Sequence, residues 1–359
     1  MFIGITGPSC SGKHTVAKYL VEHHNFTLLA LETNTAHTHQ PIRQHARVFP
    51  TLKQMQRFVT ERWRENYVTC DIDGRGLWLL KKRPFFLLAA VEAPIFMRYE
   101  RCVARDEARG ERPLTLDEFV RKDDLALFNK ESNTPLYTLM SLSDVAITNT
   151  FKDPCAFFAS LDKLELTNFE RLRPSWDTYF MHLSDLAARR SNCMKRRVGC
   201  ILVKDSRVIA TGYNGTPRGL RNCNEGGCDR CNQGAPCGTG LDRCLCMHAE
   251  ENALLEAGRG RVDFSNGVVL YCNTCPCLGC AIKIVQQGVK EVVYSKSYGM
   301  DEMTSKVFQE AKVKMRQHSP PSMRLEMQVD ITELDEAIVG SLGWDRQEAE
   351  RRDSLPDVS

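Results

Sequence analysis

A histidine and two cysteines in the C-terminal half stand at a spacing that closes on one metal ion. His248-Ala-Glu250 is followed, 29 residues after His248, by Cys277-Leu-Gly-Cys280, with Pro276 just before the first cysteine. Two thiolates three residues apart at the start of a helix reach a common ion, and the helix N-terminus favours their negative charge. A histidine from a second helix supplies a third ligand. Three ligands leave one tetrahedral position open, the mark of a catalytic zinc, because water there ionises near neutral pH and becomes a nucleophile. Glu250 lies two residues past the histidine, near the metal but outside its bonding geometry, where a carboxylate serves as general acid and base. The bland alternative is a closed cysteine-rich knuckle with Glu250 as a helix-surface charge. The coincidence of proline, paired cysteines and His-x-Glu speaks against it.

These are two of 16 cysteines, twelve of which fall between Cys193 and Cys280. The N-terminus has no basic, long apolar leader, so a reducing cytoplasmic or nuclear compartment is expected, and there dense cysteine means metal ligation rather than disulfides. Cys223, Cys228, Cys231, Cys237 and Cys244 lie in a Gly/Asn/Cys-rich stretch before Cys246 and exceed the needs of one catalytic ion. Cys200, inside an apolar run, and Cys10, Cys70, Cys102 and Cys155 read as small buried hydrophobes.

The positioning elements follow from periodicity. Ahead of the histidine come a helix over 176–192 and strands over 198–203 and 208–211. The expected order then continues with a long loop over 212–246, a helix over 249–257, a strand over 268–272, a helix over 277–287 and a strand over 291–294. This is an α/β order. The N-terminal half is α/β as well, with strands expected at Phe2–Thr6, 67–71 and 85–91 and helices at 14–23 and 95–109. Between the first strand and helix lies Gly7-x-x-x-x-Gly12-Lys13, with Thr15 two residues on. In such a P-loop, backbone amides cradle phosphates and the lysine reaches the outer ones. Asp71 is a candidate metal-side acid, and Arg98, Arg101, Arg105 and Arg109 share one helix face.

Length and charge frame these parts. The chain has 359 residues, enough for two domains, and 48 basic against 45 acidic residues leave a net charge of +3. No apolar run approaches a membrane span. The divisions expected are 1–168, 172–318 and an acidic tail over 319–359, with a short amphipathic helix at 331–342.

The pattern H-x-E…P-C-x-x-C is the known signature of the zinc nucleobase deaminases. Around it, residues 176 to about 318 resemble deoxycytidylate deaminases of the fungal type. The resemblance rests on Arg173-Pro-Ser-Trp-Asp177, Arg190-Ser-Asn-Cys-Met-Lys-Arg-Arg-Val-Gly199, Ala210-Thr-Gly-Tyr-Asn-Gly-Thr-Pro-Arg218, Cys246-Met-His-Ala-Glu-Glu-Asn-Ala253 and Cys275-Pro-Cys-Leu-Gly-Cys280. It implies a cytidine-deaminase-like α/β/α sandwich that hydrolyses dCMP to dUMP and ammonia, feeding thymidylate synthesis. His248, Cys277 and Cys280 would hold zinc, and Glu250 would move the proton. Asn214 would bond the sugar, and Arg259 with Tyr298 the 5′-phosphate; a guanidinium also matches phosphate oxygens in a bidentate fork. A second, structural zinc is implied at Cys193, Cys223 and Cys246, with Cys228, Cys231, Cys237 or Cys244 as fourth ligand. A homohexamer activated by dCTP and inhibited by dTTP, each with a divalent ion such as Mg2+, is implied too.

The rivals are a polynucleotide deaminase, a nucleoside or free-base deaminase, and a nucleotide-binding regulator with an inactive zinc fold. Polynucleotide binding needs a basic groove with stacking aromatics, whereas Arg189-Arg190 with Lys195-Arg-Arg197 is short and the net charge small. No nucleic-acid or membrane partner is therefore expected. An intact His, Glu and Cys set opposes an inactive fold. The N-terminal half resembles small P-loop kinases such as dephospho-CoA kinase, and an active kinase, a nucleotide sensor and a relic used in assembly all remain open for it.

Overall fold

Two units divide the chain, Met1–Thr167 with Ser322–Ser359, and Asn168–Pro321. The computed structural model describes residues 1–32, 46–129, 134–235, 239–258, 260, 263–264, 267–297 and 302–325.

In the first unit the strands are β1 (Phe2–Thr6), β2 (Thr27–Leu31), β3 (Arg47–Phe49), β4 (Tyr67–Thr69), β5 (Phe86–Glu92) and β6 (Val145–Thr148). The helices are α1 (Lys13–His24), α2 (Leu52–Glu61), α3 (Gly74–Leu80), α4 (Ile95–Ala108), α5 (Leu116–Phe128), α6 (Leu136–Ser141) and α7 (Pro154–Leu164). β1 and β5 are apolar almost without interruption because helices cover both sheet faces. All pairings are parallel, and β1 sits centrally between β4 and β5. The sequence order reverses there, so the loop after β1 opens at the switch point where doubly wound sheets bind ligands. The chain after Pro321 returns to this sheet: β12 (Arg324–Leu325) pairs with β6. The segment expected to leave as a tail at 319 thus first adds an edge strand. The helix expected at 331–342 lies outside the described residues.

The second unit runs α8 (Trp176–Ala188), β7 (Gly199–Lys204), β8 (Arg207–Tyr213), α9 (Asp229–Asn232), α10 (Ala249–Ala257), β9 (Val269–Thr274), α11 (Leu278–Gln287), β10 (Glu291–Lys296), α12 (Glu302–Glu310) and β11 (Lys314–Gln317). The sheet order is β11-β10-β9-β7-β8, with β7 antiparallel to both neighbours and the rest parallel. Alternation along β7 sorts the core into two layers. Cys200 and Leu202 face Ala249, Ala253 and Ile284 of α10 and α11, while Ile201 and Val203 face Phe180 and Met181 of α8. The result is an α/β/α sandwich. α8 stops at Ala188, short of the expected 192, because Ser191 turns to donate to the Asn214 carbonyl at 2.7 Å and Cys193 is carried toward the other cysteines. Among the described residues no helix is long and apolar enough to cross a membrane.

Candidate active site

His248 is the residue immediately before α10, Glu250 lies in that helix's first turn, Cys277 immediately precedes α11, and Cys280 lies in the first turn of α11. Two helix N-termini therefore meet at one point, and their amide dipoles favour anionic ligands there. A close approach sets α10 against the sheet. A Cβ on Gly212 of β8 would stand 2.1 Å from the Ala249 carbonyl and 2.5 Å from the Ala253 nitrogen, so only glycine lets the backbones touch. Met247 bridges back to Gly215 through hydrogen bonds of 2.9 and 3.2 Å, fixing the entry to the helix.

The His248 Nδ1 lies 3.4 Å from the Cys277 Sγ and 3.3 Å from the Cys280 Sγ. Ligands of a tetrahedral zinc with ordinary Zn–S and Zn–N bonds stand about 3.5 Å apart, so this imidazole and these thiols fit the ion. Cys277 is exposed, Cys280 buried and His248 between them. A hydrogen bond from Cys280 and the imidazole beside it hold the Cys277 thiol down at about 3. The same contact, with burial, pushes Cys280 up. His248 is raised by its hydrogen bond to Cys277. Glu250 is 4% exposed, and burial raises its carboxyl above the ordinary glutamate value. A carboxyl shifted toward neutrality both accepts and returns a proton.

His248, Glu250 and Cys277 line a cavity of about 350 Å³ with Asn214, Lys195 and Arg196 among its walls. The Asn214 amide holds backbone: Nδ2 donates to the Arg196 carbonyl at 2.7 Å and Oδ1 accepts from the Val198 N–H at 2.7 Å. Arg259 and Tyr298 lie outside the described residues, as does Cys237. Lys195 and Arg196, which in the sequence form only a short basic run, line the cavity, and the Lys195 ammonium donates to the Ala235 carbonyl.

The remaining cysteines assemble next to this cavity. Cys193, Cys223 and Cys246 come together with Cys231, while Cys228 joins a second group with Cys231, Cys244 and Cys246. Cys228 therefore does not complete the first set. Cys200 and Cys272 oppose each other in the β7–β9 ladder, both buried. Cys102 is buried too, but Cys155 is exposed at the start of α7 and is no core thiol.

In the first unit, Gly7 and Gly12 have φ of 150° and 103°, and a Cβ on Gly7 would meet the Val91 carbonyl at 2.2 Å. Lys13 Nζ donates to the carbonyls of Gly7 and Pro8 at 3.1 and 3.3 Å, curling onto its own loop, and burial lowers its pKa. Thr15 lies in the first turn of α1, its N–H bonded to the Gly12 carbonyl. Arg101 donates to the Cys10 carbonyl, and Arg98 is clamped to Asp123 by two bonds of 2.6 Å. Asp71 accepts from the Leu31 N–H at 2.8 Å.

A family model described as the cytidine and deoxycytidylate deaminase zinc-binding region matches residues 174–296. The deoxycytidylate deaminase of Schizosaccharomyces pombe is 47% identical over 321 residues, which cover 89% of this chain and 98% of that one. That of Saccharomyces cerevisiae is 41% identical over 330 residues, 89% of this chain and 97% of its own. Matches of this length take in the first unit as well as the second. A crystal structure of dCMP deaminase from the cyanophage S-TIM5 with dCMP and dUMP is 29% identical, covers 41% of this chain and 98% of that one, and has a TM-score of 0.32.

Proposed function

The chain belongs to the deoxycytidylate deaminase family, and we propose that it hydrolyses dCMP to dUMP and ammonia in the cavity at the N-termini of α10 and α11. The observation that carries this is the meeting of His248 Nδ1 with two thiols beside a buried Glu250. His248, Cys277 and Cys280 would hold zinc, which would supply the Lewis acidity that makes water nucleophilic near neutral pH. Glu250 would take a proton from the attacking water, deliver it to the ring nitrogen beside C4, and then carry the second proton to the amine as it leaves as ammonia. Asn214 offers the sugar its remaining lone pair and N–H while holding the backbone at Arg196 and Val198. Arg259 and Tyr298 take the 5′-phosphate, and Lys195 and Arg196 add positive charge at the wall.

The cysteine loop holds a structural zinc. Activation by dCTP and inhibition by dTTP with Mg2+, a homohexamer, and cytoplasmic or nuclear residence complete the reading. Gly7, Gly12, Lys13 and Thr15 form a phosphate-binding loop, tested by equilibrium binding of ATP and dNTPs to the full chain and to Lys13→Ala.

For the reaction, Glu250→Gln should lower dCMP turnover by about 10²–10⁴-fold with zinc content and melting temperature kept. A zinc-loaded, folded variant with full activity would refute the assignment. Ammonia release from dCMP, deoxycytidine, CMP and a cytosine-containing oligonucleotide, run side by side, should favour dCMP; preference for the oligonucleotide would move the chain to a different substrate class.

A further inference from the structure

Five described cysteines of the loop between β8 and α10, Cys223, Cys228, Cys231, Cys244 and Cys246, meet Cys193 from the segment between α8 and β7, and the six are not equivalent neighbours. One four-sulfur group is Cys193, Cys223, Cys231 and Cys246, and the other is Cys228, Cys231, Cys244 and Cys246. Cys231 and Cys246 belong to both. Zinc–thiolate bonds of about 2.3 Å put sulfurs about 3.8 Å apart along the edge of a tetrahedron. The Cys231 Sγ lies 3.8 Å from Cys193, 3.8 Å from Cys244 and 3.9 Å from Cys246, tetrahedral edges on both sides of the shared pair. All six are free thiols.

One ion in either group leaves two thiols unused against the sulfurs of the other, and Cys228 and Cys223 are each 0% exposed. Two ions use every sulfur. Each of the motifs Cys228-x-x-Cys231 and Cys244-x-Cys246 then contributes one outer ligand and one shared ligand, and Cys193 and Cys223 supply the remaining outer pair. The donors agree with this division. Six thiolates around two dications keep an excess of roughly two negative charges, which needs hydrogen bonds or cations nearby. The Met194 N–H reaches Cys223 at 3.4 Å and Asn232 Nδ2 reaches it at 3.7 Å, while Arg230 Nη1 reaches Cys244 at 3.6 Å. Backbone N–H groups of Lys195 and Arg196 donate to Cys193, and those of Cys231 and Leu245 to Cys228. All four outer sulfurs thus have N–H donors, in both groups.

We propose that these six cysteines hold a binuclear zinc–thiolate cluster, one ion on Cys193 and Cys223, the other on Cys228 and Cys244, with Cys231 and Cys246 bridging the two. The proposal rests on the reading of this loop as a structural zinc site and deepens it. Its consequence for the reaction is positional: Cys246 is separated from His248 by Met247 alone, so the cluster anchors the strand that delivers the catalytic ligand.

The test uses full-length protein purified under reducing, chelator-free conditions. Metal analysis should find about three zinc ions per chain, one catalytic and two in the cluster. About two would overturn the binuclear cluster and leave a single structural zinc; about one would remove both. Iron in place of zinc would also overturn it. Cys228→Ser with Cys244→Ser should lose about one zinc and keep the other four-sulfur site; an unchanged zinc content would overturn the proposal. Because that variant is exposed to misfolding, 113Cd NMR of the cadmium-exchanged wild type gives a second reading. Two mutually coupled resonances are expected from thiolate-bridged ions, and only uncoupled signals would overturn it.

Discussion

Two groups of candidate metal ligands, which come within two residues of each other at Cys246 and His248, are mounted in opposite ways. His248, Cys277 and Cys280 sit at the N-terminal ends of α10 and α11, helices packed on the sheet through Ala249, Ala253, Ala281 and Ile284. The loop before α10 has almost no such support. Its own core is Cys223, Cys228, Cys231 and Cys246, with Cys193 and Cys244 packed against them, and among the described residues its regular structure is one short helix and two single 3-10 turns. The first set is an open site on a finished scaffold. The second, under the proposed function, is a loop for which metal bonds would be the main offset to its ordering entropy. Ligand type alone does not separate a catalytic centre from a structural one; what the ligands are mounted on does.

The largest test of this contrast is stepwise metal removal. A mild chelator should take the ion of the three-ligand site first, through exposed Cys277, abolishing turnover with little change in melting temperature. Stripping the cysteine loop should then cost several kcal/mol, read as a fall in Tm of about 10 °C or more and as rapid amide exchange over 222–247. A large fall in Tm with the first metal would erase the distinction. A middle-sized effect is expected from Gly212→Ala, which forces β8 from α10. Destabilisation of about 2–3 kcal/mol and loss of turnover should follow, with the metal content of the loop unchanged.

The smallest effect lies away from both metal sites. Asp177 accepts from Arg316 at 2.8 and 3.2 Å and from the Tyr271 hydroxyl at 2.8 Å, and the Arg316 bond, then Tyr271, holds its carboxyl below the ordinary value. A depressed carboxyl stabilises the fold above its unfolded pKa, near 3.9, and loses that contribution as pH falls through the folded value. Asp177→Asn should therefore lower stability at pH 7 by no more than about 1 kcal/mol, because both partners are partly open to solvent. The gap from wild type should close below about pH 4. Constant destabilisation down to acid pH would assign the loss to packing.

Much of the catalytic half was legible in the chain. His248, Glu250, Cys277 and Cys280 carry a spacing that allows few other arrangements, and α10, β9, α11 and β10 followed from short apolar runs bounded by turn residues. The end of α8 was not legible, since Ala188 through Asn192 remain compatible with helix until Ser191 meets Asn214 across the hairpin. The division of the cysteine loop was illegible for the same reason: Cys228-x-x-Cys231 looks like one ligand pair, yet its two sulfurs fall into different roles. β12, two residues long, has no sequence pattern of its own and exists only because the β6 edge receives it.

The sequence by itself pointed to the proposed ligand set of the active centre, the proposed acid–base residue and the two α/β halves, because helix and strand periods and metal-ligand spacing are local properties. Only the tertiary structure decided which cysteines share a neighbour, that Lys195 and Arg196 line the cavity, and that Lys13 and Arg101 of α4 turn onto the carbonyls of the first loop. Those facts depend on residues far apart in the chain arriving at one place, and their distances are set by packing rather than by the order of residues.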